Sequence, residues 1–234
     1  MSISTHAGNI SAPRITSAET MHRAILEAGI IPFFENAVRG YSIEELTAPE
    51  YWFDGEAGVL GPWDWKIDCL QSGDIVYGKF LGGKAAFATV EWYKELRAWR
   101  LSRLSPDAAG QKILDFIGTN GSISIKEVRG LLGVKKAAAD TAITRLQMQC
   151  RVVTGDIRRV YRGEDLHYNG WQVSSFTTPE ALFSAEPDFP WPFRSGADPL
   201  ATECTPEESL ERLLGHIGTI SGCTDRKTLI KLIG

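Results

Sequence analysis

The chain has 234 residues, 43% of them apolar and 23% charged, with a net charge of −4. That balance fits one large or two small globular domains and excludes a disordered polyelectrolyte or a general polyanion binder. No apolar run approaches the ~20 residues of a membrane-spanning helix, so no membrane partner is expected.

Residues 1–16 lack a basic stretch followed by an apolar core and read as a flexible lead-in rather than a signal peptide. Cys69, Cys150, Cys204 and Cys223 are scattered, with no C-x-x-C and no histidine at metal-ligand spacing. Free thiols in a reducing, cytoplasmic setting are expected, with no metal and no cofactor.

Residues 17–104 read as an aromatic-rich α+β subdomain. Ser17 is a plausible cap for a helix over Ile15–Gly29, with Met21, Ile25 and Leu26 on its apolar face. IIPFFEN (Ile30–Asn36) is extended, and Ser42 caps a short turn of helix. Asp74–Phe80 alternates, Leu81-Gly82-Gly83 supplies a turn, and Lys84–Val90 returns, which predicts a β-hairpin. Glu91–Leu101 follows as a helix. Trp63 and Trp65, with Trp171 further on, are candidate pocket aromatics. Ordinary core packing is the commoner use of such rings. Lys66 and Asp68, like Lys79 and Lys84, are expected to be solvated. Gly78-x-x-x-Gly82-Gly83-Lys84 departs from a phosphate-binding loop, because Ala85 stands where a Ser or Thr should hold magnesium.

Residues 105–177 carry the clearest pattern, a winged helix-turn-helix. Ser105-Pro106 opens a helix with Ile113, Leu114, Phe116 and Ile117 on its apolar face. Ser124 and Glu127 form a capping box ahead of a helix that turns Val128, Leu131 and Leu132 inward and stops at Gly133. The next helix runs over Lys135–Gln149. Ala139, Ile143, Leu146 and Cys150 form its buried stripe. The other side presents Ala137, Thr141, Thr144, Arg145 and Met148. Small and hydrogen-bonding residues with an arginine are what a groove-reading helix needs. Thr141, Thr144 and Arg145 are therefore candidate base readers, and Lys135 and Lys136 candidate phosphate contacts. A solvated helix face carries the same residue types. Arg151–Ile157 and Gly170–Phe176 read as a strand pair, with Arg158, Arg159 and Arg162 in or near the wing, where arginines reach phosphate. Asp107–Phe176 holds ten basic and seven acidic residues, whereas residues 1–106 and 177–234 are both net acidic.

In residues 178–234, Thr178-Pro179-Glu180 opens a helical turn, and Glu186–Pro199 reads as a proline-rich strap. Thr205 starts a helix that buries Leu210, Leu213, Leu214 and Ile217. Thr224-Asp225 caps a last helix with Leu229, Ile230 and Leu232. These helices suit packing, a homodimer contact or a protein partner.

The segments TAITRLQMQCRVV (Thr141–Val153), GPWDWK (Gly61–Lys66), YGKF (Tyr77–Phe80), Glu91-Trp92 and Gly170-Trp171 followed by TTPE (Thr177–Glu180) resemble a bacterial family of AlkZ-related proteins. The resemblance runs from about Ser17 to the end of the chain. The family name points to the AlkZ and YcaQ DNA glycosylases, which have tandem winged helices and excise alkylated bases. Those enzymes use a Gln-x-Gln or Gln-x-Asp motif after a Leu-rich helix, and the matching triplet here is Gln147-Met148-Gln149. The resemblance implies that Gln147 and Gln149 position a water and stabilise charge on the sugar. A neutral amide is a poor general base, so it would serve only a cationic leaving group such as an N7-alkylated purine.

The expected fold is α+β. A winged helix-turn-helix domain packs with an N-terminal α/β subdomain containing a β-hairpin, plus C-terminal helices. The function these residues favour is binding of double-stranded DNA through Lys135–Gln149 and the arginine-bearing wing, without catalysis. Base excision by Gln147 and Gln149 is one alternative. A protein-interaction module whose winged helix does not bind DNA is another.

Overall fold

The computed structural model describes residues 14–52, 60–164, 166–184 and 198–234. It is a mixed α+β arrangement. Two three-stranded antiparallel sheets and ten α-helices lie among the described residues. No helix among these residues is long and apolar enough to cross a membrane. The strap expected at Glu186–Pro199 lies, up to residue 197, outside them.

Helix α1 (Ala18–Ala28) begins at Ser17, whose hydroxyl accepts from the Thr20 amide while Thr20 reciprocates. Ile15, expected in the lead-in, is instead fully buried and bridges to Thr47. Strands β1 (Ile30–Pro32), β2 (Ile75–Leu81) and β3 (Lys84–Thr89) form the first sheet in the order β1-β3-β2. The hairpin expectation therefore holds, with Gly82 and Gly83 at positive φ in its turn. Helix α2 (Ile43–Leu46) starts at Ser42, as expected.

Helix α3 (Pro62–Gln71) was not foreseen. Its aromatic and acidic residues blur any 3.6-residue period, but Pro62 at the first position opens it in the usual way. Lys66 corrects a second expectation. Its side chain is buried, with the residue only 2% exposed, instead of solvated. Helix α4 (Val90–Leu101) then carries the chain to the second half.

Helix α5 (Ala108–Asn120) is capped by Asp107, not Ser105. A two-residue strand, β4 (Ile123–Ser124), leads into α6 (Ile125–Leu132), then α7 (Lys136–Met148), then the long hairpin β5 (Val153–Arg162) and β6 (His167–Thr177). The second sheet runs β4-β6-β5. Ile113, Ile117, Ile123, Val128, Ala139, Ile143 and Leu146 form one apolar cluster beneath it. Burying each of the isoleucine, valine and leucine side chains contributes roughly 1.5–3 kcal/mol. Leu131, expected to face inward, is exposed; Val128 is buried and Leu132 packs against the same cluster.

Helices α8 (Pro179–Ser184), α9 (Pro206–Ser221) and α10 (Arg226–Ile233) complete the chain. Leu213, Leu214 and Ile217 of α9 and Leu229, Leu232 and Ile233 of α10 share a core with Val76, Phe80, Tyr93 and Leu96. Ile230, expected in that packing, is exposed. Glu95 of α4 is fully buried and accepts from Ser209 (2.6 Å), Thr202 (3.1 Å) and Arg212 (2.8 Å), which ties α4 to α9 and to the segment before it.

Candidate nucleic-acid interface

The candidate surface is built on α6, α7 and the β5–β6 hairpin. Ser124 Oγ accepts from the Glu127 amide at 3.3 Å, and the Glu127 carboxylate accepts from the Ser124 amide at 2.7 Å. The Ser124 amide, and then its hydroxyl at 2.7 Å, donate to the Glu127 carboxylate and hold it below the usual range. Gly133, in the left-handed region at φ 66°, ends α6 and lets the chain turn sharply into α7.

Along α7 the expected stripe of Ala139, Ile143, Leu146 and Cys150 is buried. At its start, Lys135, Lys136, Ala137, Ala138 and Thr141 are all exposed. Lys136 pairs with Asp140 at 3.0 Å. Thr141 donates to the Ala137 carbonyl at 2.9 Å, which leaves its oxygen able to accept. Arg145 is exposed but paired with Asp107, the cap of α5. That pair and the Gly110 amide hold the Asp107 carboxyl below its ordinary value, the amide contributing most. Thr144 is half-buried, and a Cβ on Gly83 would lie 3.8 Å from its methyl. The two ends of α7 thus differ: the first two turns are open, and the last turn is flanked by the β2–β3 turn.

The three arginines expected near a wing loop all lie within strand β5. They diverge in environment. Arg158 projects outward, its side chain 85% exposed, and pairs with Asp156. Arg162 is exposed and lies 5.5 Å above the ring of Trp171, which is itself 60% exposed. Arg159 turns inward, 3.7 Å from the Asp64 carboxylate and 3.8 Å from Asp68. Asp64 also accepts from the Tyr168 hydroxyl and from Gln172 at 3.2 Å. This network braces the hairpin against α3, so Arg159 is a bracket for the hairpin and not a free cation. Burial, and then the bond to Asp64, raise the Tyr168 hydroxyl above its ordinary pKa.

The pocket aromatics do not converge as a set. Trp65 is buried against Tyr51, with ring centroids 5.3 Å apart, and belongs to the core. Trp63 is 44% exposed and covers the Lys66 ammonium, 3.1 Å from its ring centroid. Trp171 stands on the hairpin, and no described contact joins its ring to either of the others.

Gln147 and Gln149 are both buried and point apart. Gln147 accepts from the Lys79 amide at 3.1 Å and donates to Thr154 at 3.4 Å, joining the two sheets. Gln149 donates to the Ser105 carbonyl at 3.1 Å, and its amide oxygen has no described partner. The two side-chain amides share no described hydrogen-bond partner. No group of acidic, histidine and cysteine side chains suited to a metal occurs among the described residues.

Asp107 reads from the sequence only as part of a helix opening, and neither its pairing with Arg145 nor that of Asp64 with Arg159 is anticipated there. Asp107 lies 38 residues from Arg145, and Asp64 lies 95 residues from Arg159. No local spacing links such pairs.

Fold and surface define a mixed α+β protein with an open, basic helix edge and a braced β-hairpin beside it. A family model described as AlkZ related matches residues 15–234, and the chain belongs to the AlkZ-related family. No curated protein and no solved structure matches the chain.

Proposed function

We propose that residues 105–177 form a winged helix and that the protein binds double-stranded DNA through it. The order α5, β4, α6, α7, β5, β6, with the sheet arranged β4-β6-β5, supports a winged helix. The observation that carries the DNA reading is the open first half of α7. Lys135, Lys136, Ala137, Ala138 and Thr141 are exposed together at the end of the helix that enters the groove in this class of motif. The small alanines let the helix approach base edges, and the Thr141 oxygen can accept from a base-edge amine. Lys135 and Lys136 meet phosphate, and Arg158 and Arg162 extend that contact along the hairpin. Trp171, under Arg162, offers a face on which an unstacked base can lie. In this reading Gln147 and Gln149 are structural amides, and the protein acts by binding.

The test is fluorescence anisotropy of a labelled duplex of ~25 base pairs titrated with the full chain at several salt concentrations. Binding is expected to weaken steeply with salt, with a slope of about −0.9 per phosphate contacted. Lys135→Ala with Lys136→Ala is expected to flatten that slope by about 1.8. A flat salt dependence, or no binding at low salt, overturns the proposal.

A further inference from the structure

The last turn of α7 is not an isolated edge. The Gly83 amide donates to the Met148 sulfur at 2.9 Å, and a Cβ on Gly83 would touch the Thr144 methyl. The Gly82 amide reaches the Ile233 carbonyl of α10 at 3.5 Å. A Cβ on Gly234 would meet Met148 at 2.8 Å and Gly82 at 3.4 Å. The end of α7, the β2–β3 turn and the end of α10 therefore form one continuous surface, made by segments distant in the sequence. A groove of about 490 Å³ opens beside it, between the β2–β3 turn, α10 and residues 35–37, and Lys84 and Lys231 line it. Both lysines are exposed, and neither forms an ion pair with a described residue. The one carboxylate lining that groove, Glu35, is engaged by Arg39.

We propose that Lys84 and Lys231 form a second phosphate-contacting pair, outside the winged helix, for the same bound duplex. This rests on the DNA reading above. The geometry is that of a helix crossing a groove. From Lys135 to Met148 the helix is about 20 Å long. A major groove is about 12 Å wide. A helix laid across it ends near a phosphate row on either side. Lys135 and Lys136 stand at one end of α7, and the Lys84–Lys231 pair stands beside the other. The acidic chain leaves these cations unpaired at the place where a second backbone would pass. The β2–β3 turn and α10 are thereby given a role in binding as well as in packing.

The experiment uses the full chain and the same labelled duplex. Lys84→Ala with Lys231→Ala is compared with wild type, with Lys135→Ala/Lys136→Ala, and with Arg23→Ala, which removes a remote exposed cation on α1, as a control. Circular dichroism and a thermal melt establish that each variant is folded. The expected result is weaker binding by the Lys84/Lys231 variant, with a salt slope flatter by about 1.8, and an unchanged slope for Arg23→Ala. A steep slope that Lys135→Ala/Lys136→Ala flattens but Lys84→Ala/Lys231→Ala leaves intact overturns this inference and spares the DNA reading. An equal flattening by Arg23→Ala also overturns it, since the effect would then be one of net charge alone. Failure of the wild-type chain to bind overturns both.

Discussion

Lys66 shows what the fold tolerates at one position. Its ammonium sits under the Trp63 ring, with no ion pair to a described carboxylate. Burial lowers its pKa to about 7, against a smaller opposing pull from Asp64. Between pH 7 and the ordinary lysine value of ~10.4, the unfolded chain binds a proton that the folded protein lacks. Stability therefore rises with pH across that window. Lys66→Met keeps the length of the side chain and removes the charge. It is expected to stabilise the protein by about 1–4 kcal/mol at pH 7 and to flatten the rise above it. Urea unfolding at pH 7 and pH 9 measures both effects, and an unchanged pH slope would show that Lys66 is charged in the folded state. Gln147 and Gln149 illustrate a different point at this scale. Gln147 lies in the last turn of α7 and Gln149 caps it; the first finds a backbone partner on β2, the second in the segment between α4 and α5.

At the scale of elements, α7 is held at one end by a competitor. Asp107 caps α5 and also occupies Arg145, the arginine on the outer face of α7. Asn caps a helix about as well as Asp but carries no charge. Asp107→Asn is therefore expected to leave the melting temperature nearly unchanged while freeing Arg145, tightening duplex binding several-fold in the anisotropy assay. An unchanged affinity would mean that Arg145 does not reach the DNA. The caps at Ser17, Ser42, Ser124 and Thr205 were legible because the signal is local: a hydroxyl, then a polar partner three residues on. The β2–β3 hairpin and the buried stripe of α7 were legible for the same reason, as short-range periodicity. Helix α3 was not, because Asp64, Trp65, Lys66 and Ile67 are buried side by side, polar with apolar, which leaves no clear face. The candidate surface was legible as a list of cations. It was not legible as a geometry, since the turning of Arg159 to Asp64 and the half-burial of Thr144 depend on elements far away in the chain.

At the scale of the molecule, the C-terminal helices are part of the central core, joined to α4 and the first sheet. Glu95 is the polar fastening of that junction. Glu95→Ala leaves the Ser209 hydroxyl buried without its acceptor, whereas Arg212, about half exposed, can return to water. The cost is expected to be about 1–3 kcal/mol. It should appear as a lower urea midpoint with an unchanged m-value, in a single transition. A separate early transition would mean that α9 and α10 unfold on their own.

The amide of Gln147 has a consequence for how motion travels. It clips the backbone of β2 to the first turn of β5, and Gly78 lies so close that an added methyl would come within 3.0 Å of it. A shift or rotation of α7 is therefore expected to load this clip and to be felt in the first sheet. The Lys79 amide proton, bonded to that side chain, becomes a built-in strain gauge: its resonance registers any load placed on the outer face of α7, on the other side of the helix.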